Sequence, residues 1–265
     1  YAVTTLEKLS EAGFKIDFIV TQPDKPQGRK MLLTPPSAKV WAEKHGLPVL
    51  QPEKLKEENF INELKKYDCD VFVVIAYGKI IPEKILNIPK HKSLNIHGSL
   101  LPKLRGSCPI ETAILNDEKI TGVTIIRMDS RMDHGAVIAQ QEIVAKEWPP
   151  TAEVLGNEIV KTGAELLVSI LPDWIDGKIK EVEQDHSQAT YTKMIKKEDG
   201  LIDLNDDPYK NYLKIQAYHG WPSAFFFENG KRIKITKASY KTGKLIIEKV
   251  IPEGKIEMDY KNPII

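Results

Sequence analysis

Along the first 140 residues, apolar positions at helical spacing alternate with short apolar runs. In TTLEKLSEAG (4–13), Leu6 and Leu9 mark a helix that stops at Gly13, and FKIDFIVTQ (14–22) alternates as a strand does. SAKVWAEKHG (37–46) predicts a second helix, LPVL (47–50) a brief strand and ENFINELKKY (58–67) a third helix. VFVVIAYG (71–78) is apolar on both faces, as a strand covered by helices on both sides must be, which points to a parallel α/β sheet. KSLNIHG (92–98), the helix PIETAILN (109–116) and the strand GVTIIRMD (122–129) continue the alternation.

TAEVLGNEIVKTGAELLVSILPDWIDG (151–177) reads as a long helix ending near Leu171-Pro172, because proline disfavours the helix before it. Residues 185–190 form a polar link. Beyond it, GLIDL, PSAFFF, RIKITKASY and KLIIEKV suggest short strands, with a helix at YKNYLKIQAY (209–218). The predicted organisation is an α/β domain over 1–184, the link, and a small, mainly β domain over 191–265. A layer of this kind usually opens on a strand, yet Tyr1 heads a helix, so either the fold begins with a helix or a first strand belongs ahead of it.

With 265 residues, 42% hydrophobic and 28% charged, the chain has the composition of an ordinary globular protein. No run approaches the roughly 20 apolar residues of a membrane helix, and two cysteines are too few for a disulfide framework. The simplest setting is cytoplasmic. Residues 1–188 carry a net charge of -3 and residues 189–265 a net of +4. A basic tail of this size either meets a polyanion or is a solvated lysine face, and charge alone leaves both open.

Candidate chemistry gathers at one strand end. Asn95 and His97 are two residues apart in SLNIHG, so both project from one face, and Gly98 marks the end of the strand. In open α/β sheets ligands bind at the carboxyl ends of strands. Asp133, in the turn of SRMDHGAVIAQ, is the third candidate, while Asp129 reads as a turn former. An amide N–H stabilises an oxyanion, an imidazole donates to it or carries a proton, and a carboxylate orients the imidazole. The trio suits acyl chemistry without a metal: no H-E-x-x-H cluster occurs, and no G-x-S-x-G elbow presents a serine. Arg105 is either a pin for the 99–105 turn or a surface cation. TQPDKPQGRKMLLTPPSAK (21–39) follows a strand end as a long, mobile excursion with four basic and no acidic residues from Lys25 to Lys39, suited to a phosphate backbone.

TQPDKPQGR (21–29), LPVLQPEKLK (47–56), VVIAYGKIIP (73–82), LNIHGSLLPKLRG (94–106), TGVTIIRMD (121–129), MDHG (132–135), ATYTKMIKKEDGLIDL (189–204) and WPSAFFF (221–227) together resemble the methionyl-tRNA formyltransferase family of folate-dependent formyltransferases. The resemblance implies a Rossmann-like, mostly parallel sheet domain joined to a small OB-like β-barrel that helps hold tRNA. It implies 10-formyltetrahydrofolate as donor and the α-amine of methionyl initiator tRNA as acceptor, with no metal and a monomeric enzyme. The family's catalytic residues fall on Asn95, His97 and Asp133. Its folate pocket falls on Ile75, Ala76 and Tyr77 and on Ser99, Leu100, Leu101 and Pro102. Its tRNA loop brings in Lys25, Arg29, Lys30 and Lys39, and its methionyl pocket Tyr1.

The chain departs from the family pattern in places. Lys30-Met31-Leu32 stands where relatives usually carry Gly-Lys-Lys, and His134 and Ala136 where Thr and Asp are usual. The tail after Ser239 is short, so the barrel is expected to lack strands. A 4-amino-sugar nucleotide formyltransferase would share the donor and the trio but needs neither the basic loop nor the basic tail. A folate- or tRNA-binding protein without catalysis would not need the trio. A Rossmann dehydrogenase would need a G-x-G-x-x-G that follows no predicted strand.

Overall fold

The computed structural model describes residues 1–28 and 31–261, so Arg29, Lys30 and residues 262–265 lie outside the described residues. In chain order the elements are α1 (Ala2–Glu11), β1 (Ile19–Val20), β2 (Lys25–Gln27), β3 (Leu32–Thr34), α2 (Ser37–Lys44), β4 (Val49–Leu50), α3 (Glu58–Leu64), β5 (Phe72–Val74), α4 (Glu83–Leu86) and β6 (Ser93–His97). They continue with α5 (Pro109–Leu115), β7 (Ile120–Arg127), β8 (Val137–Val144), α6 (Ala152–Ile175), α7 (Pro208–Ala217), β9 (Phe225–Glu228), β10 (Lys231–Lys241), β11 (Lys244–Pro252) and β12 (Met258–Asp259). The chain divides into two compact units. One gathers residues 1–105, 123–141 and 159–189, the other 106–122, 142–158 and 190–265.

The first unit is α/β. β1 pairs in parallel with β4, and a four-stranded sheet runs in the order β5-β6-β7-β8, with β5–β6 parallel and β6–β7 antiparallel. Leu94 and Ile96 of β6 pack with Ile125, Leu167 and Leu171. Helix α6 approaches so closely that a Cβ on Gly163 would lie 2.7 Å from Ile96 Cγ2 and 2.9 Å from Val123 Cγ2. Period 2 then turns Asn95 and His97 to the opposite face. An apolar cavity of about 460 Å³ lies among Leu6, Leu9, Phe18, Val20, Phe72 and Val74. It is flanked by β1 and β5, which are not paired with each other.

Two sequence expectations change here. Helix α6 does not stop at Leu171 but continues through Pro172 to Ile175. The proline removes one donor, but the last turn is recovered by Asp176 N–H donating to Pro172 O (2.9 Å) and Trp174 Nε1 donating to His91 O (2.9 Å). The 21–39 excursion is partly ordered as an antiparallel pair, with Lys25 opposite Thr34 and Pro26 opposite Leu33.

The second unit is a β sheet with helices against it. Its strands run in the order β12-β11-β10-β9, all antiparallel, around a core of Ile202, Ile215, Phe226, Ile235, Leu245 and Ile247. β10 and β11 join through Thr242 and Gly243, both at positive φ, the conformation a two-residue hairpin loop requires. GLIDL is not a strand: only Leu201 bridges to Phe225, and Asp203 starts a turn by accepting from Asn205 N–H. Trp148 Nε1 and Tyr209 OH both donate to Asp117 Oδ1, at 2.6 and 2.8 Å, which ties together all three chain segments of the unit.

Because α6 meets β6 at a glycine, Gly163→Val should lower the unfolding free energy by about 1–3 kcal/mol through overpacking. Urea denaturation followed by tryptophan fluorescence measures this, and an unchanged midpoint would show that the helix can shift at no cost.

Candidate active site

Asn95 and His97 reach the face of β6 away from α6 and are buried, at 9% and 5% exposure. Asp133 arrives from the turn between β7 and β8. Its Oδ1 lies 3.5 Å from Asn95 Nδ2 and 3.5 Å from His97 Nδ1, so the structure brings the three together. His97 Nε2 is 2.9 Å from Leu104 O. A carbonyl only accepts, so Nε2 carries the hydrogen and Nδ1 is the nitrogen free to take or give a proton. A proton taken up at Nδ1 meets the Asp133 carboxylate.

The turn that carries Asp133 is tightly shaped. Asp133 has φ +48°, in the left-handed region that aspartate tolerates better than most residues. A Cβ on Gly135 would fall 1.8 Å from Arg127 O, so only glycine lets the turn lie against the end of β7. Asp129 starts the turn, accepting from Arg131 N–H (2.8 Å) and facing His134 Nδ1 (2.7 Å). Burial raises the Asp129 pKa, but these contacts outweigh it and hold the carboxyl below its ordinary range. His134 stacks on His186, with ring centroids 3.8 Å apart.

Residues 99–102 are fastened from within. Thr124 Oγ1 donates to Ser99 O (2.6 Å) and accepts from Leu101 N–H (3.1 Å), while Gln140 Nε2 donates to Leu101 O (2.8 Å). Ser99 and Leu101 are buried, whereas Leu100 and Pro102 are half-buried. Val74 pairs with Asn95, so Ile75, Ala76 and Tyr77 follow at the same sheet end as the trio. Ile75 and Tyr77 line the apolar cavity, and Ala76 is exposed at φ +45°.

The basic residues are less alike than their sequence suggests. Lys39 donates to Asp24 (2.8 Å) and to Gln51 Oε1 (2.9 Å), so a carboxylate neutralises its charge. Lys25 is exposed and donates to Gln22 Oε1. Met31, Leu32 and Leu33 are exposed beside it. Tyr1, at the N-cap of α1, is half exposed. Arg105 is not a surface cation: it is 1% exposed and donates to Gln184 and His186.

Sequence reasoning passed over the amides that hold this end of the sheet. Gln22 Nε2 donates to Tyr77 O (2.8 Å) and Gln51 Nε2 to Gln22 O (2.9 Å), linking the segments after β1, β4 and β5. Gln22 and Gln51 both lie within motifs that resemble the family, but a glutamine carries no chemical signal of its own. Among the described residues no group of His, Cys, Asp or Glu is placed to hold a metal ion, and no helix is long and apolar enough to cross a membrane.

An α/β sheet with a polar trio at a strand end and a small β unit is an architecture that hosts many activities, so the class rests on the sequence family. Residues 2–171 match the formyl transferase family and residues 194–265 match the formyl transferase C-terminal domain. The chain belongs to the formyl transferase family. It is 47% identical over 241 residues to the methionyl-tRNA formyltransferase of Chloroflexus aggregans, a match covering 90% of this chain and 77% of that protein. Among solved structures, a methionyl-tRNA formyltransferase from Clostridium thermocellum superposes with TM-score 0.62 at 20% identity, covering 93% of this chain and 100% of the other. An N-formyltransferase from Helicobacter canadensis, in complex with folinic acid and dTDP-3-aminofucose, superposes with TM-score 0.65 at 20% identity, covering 93% and 91%.

Desolvation, the His134 ring and the Arg105 guanidinium hold the His186 imidazole below its usual range. The unfolded chain therefore takes up this proton first as pH falls. Stability from this contact is complete above the ordinary imidazole value of about 6.5 and declines as pH drops through it. Between about pH 7.5 and about pH 5.5, the thermal unfolding midpoint should fall further in the native protein than in His186→Gln. Equal falls would place the titrating group elsewhere.

Proposed function

We propose that this chain transfers the formyl group of 10-formyltetrahydrofolate to the α-amino group of methionyl initiator tRNA, the step that prepares this tRNA for translation initiation. The observation that carries the reading is the convergence of Asn95, His97 and Asp133 on the exit of β6, with the His97 tautomer set by Leu104 O. Close similarity to a named methionyl-tRNA formyltransferase over most of the chain supports the acceptor. The folate complex of a structural neighbour supports the donor class.

In this reading the neutral methionyl amine attacks the formyl carbon, and the formyl oxygen gathers negative charge. Asn95 Nδ2–H and a protonated His97 Nδ1 donate to that oxygen. Asp133 faces the charged ring and accepts the proton leaving the amine, directly or through water. Collapse of the tetrahedral centre re-forms the carbonyl and breaks the bond to the donor nitrogen, which takes up the proton that Asp133 received from the amine and so returns Asp133 to a carboxylate. Leu100, Pro102 and residues 75–77 flank the donor, because Ser99 and Leu101 are turned inward and already engaged.

The tRNA acceptor end is read as meeting the β2–β3 hairpin through Lys25, with Arg29 and Lys30 in the same segment. Lys39 acts there by holding Asp24, and Tyr1 is assigned to the methionyl side chain. We read residues 185–190 as the functional boundary, with the basic 191–265 segment supporting the tRNA; that the two matched family segments end at 171 and begin at 194 supports this reading. The enzyme is read as a cytoplasmic monomer.

The test is formyl transfer to methionyl initiator tRNA, with a 4-amino-sugar nucleotide as rival acceptor. Product is expected on the tRNA alone, and Asn95→Ala should lower kcat about 100-fold or more, as loss of an oxyanion donor does. Asp133→Asn should lower it comparably, with little change in KM. Product on the sugar alone would make this a sugar formyltransferase. Folate and tRNA binding without product would make it a binding protein.

A further inference from the structure

One buried side chain outside the trio touches the Asp133 turn from within the protein. Gln184 is 6% exposed, and both ends of its amide are engaged. Nε2 donates to the main-chain carbonyls of Asp133 (2.9 Å) and Gly135 (2.7 Å). Oε1 accepts from Nε (3.2 Å) and Nη2 (2.6 Å) of Arg105. Two donors and two lone pairs are all that a carboxamide has, so this one is fully used.

The contacts form one connected path. Arg105 is itself buried and follows Leu104, whose carbonyl sets the His97 tautomer. From Arg105 the path runs through Gln184 to the backbone on either side of His134. Gly135 presses the same turn against Arg127 O. The turn is thus held between the end of β7 and the Gln184 amide, and Asp133 keeps its left-handed backbone there. Only a neutral amide does this. A carboxylate at 184 would satisfy Arg105 but would face two carbonyl oxygens, and an apolar side chain would leave both sides unpaired.

We propose that Gln184 is a positioning residue that sets the Asp133 carboxylate against His97 Nδ1 by clamping the 133–135 main chain to Arg105. The proposal rests on the reading of Asp133 and His97 as reacting groups.

The experiment compares the full-length protein with Gln184→Met, Gln184→Glu, Asp133→Asn and the Gln184→Met/Asp133→Asn pair. It measures formyl-transfer kinetics and amide hydrogen exchange across residues 129–136. Gln184→Met should lower kcat about 10- to 100-fold, the usual loss when a supporting group is removed. KM for both substrates should stay within about twofold. The double variant should be no slower than Asp133→Asn alone, because Gln184 acts only through Asp133. Exchange across 129–136 should quicken while that of β6 stays as it was. Gln184→Glu, which keeps its hold on Arg105 and so guards against loss of the fold, should be impaired at neutral pH. Relative to the native protein it should recover on acidification, when the carboxyl regains a proton to donate.

Unchanged kcat with unchanged exchange would overturn the proposal. So would a double variant slower than either parent, or a loss confined to KM. If the native protein transfers no formyl group, the catalytic reading fails on its own. The exchange data then decide separately whether Gln184 clamps the turn.

Discussion

Helix α6 comes so close to β6 that no methyl group fits at residue 163, and this contact decides which way the strand faces. With Leu94 and Ile96 committed to the helix, Asn95 and His97 have only the other face, and the pleat delivers them side by side at the strand end. Packing on one side of a five-residue strand thereby orients chemistry on the other. The antiparallel partner β7 adds a second consequence, since His97 lies opposite Thr124, the hydroxyl that fastens residues 99–101.

Neutral amides do much of the remaining work. Gln22, Gln51, Gln140 and Gln184 each cross from one segment to another, donating to main-chain carbonyls there. A carboxamide offers donors and acceptors together without the desolvation cost of a charge, which suits loops packed beside a site that must stay dry. Charge is used differently. Lys39 is spent on Asp24, and the buried Arg105 guanidinium is surrounded by acceptors.

What could be read from the sequence follows from which signals are local. The Asn-x-His pair needed only the two-residue period of a strand, and Asp133 only its place beside a glycine in a turn, so all three candidates were visible before any geometry. The alternation of helices and strands was legible for the same reason, as were α5 and α7. Pro172 misled because a single-residue preference was outweighed by Trp174 reaching His91, a contact between residues 83 positions apart. Gln184 was invisible, since its partners at 105, 133 and 135 converge only in the folded chain. Lys39 looked like a free cation because its partner Asp24 lies just outside the run of residues that made the loop seem purely basic.

The segments tied at Asp117 carry a consequence for how the chain is made. Tyr209 leaves the ribosome 92 residues after the carboxylate it must bind, and the α/β unit likewise waits for residues 159–189. Neither unit is a continuous stretch, so neither is finished early during synthesis. Helix α5 in particular stays without its α7 partner until most of the protein exists. Made as separate chains divided at the polar link, the front piece would leave α5 and residues 142–158 bare, and the back piece would lack part of its own unit. Each unit is one packed body, but neither is one stretch of translation.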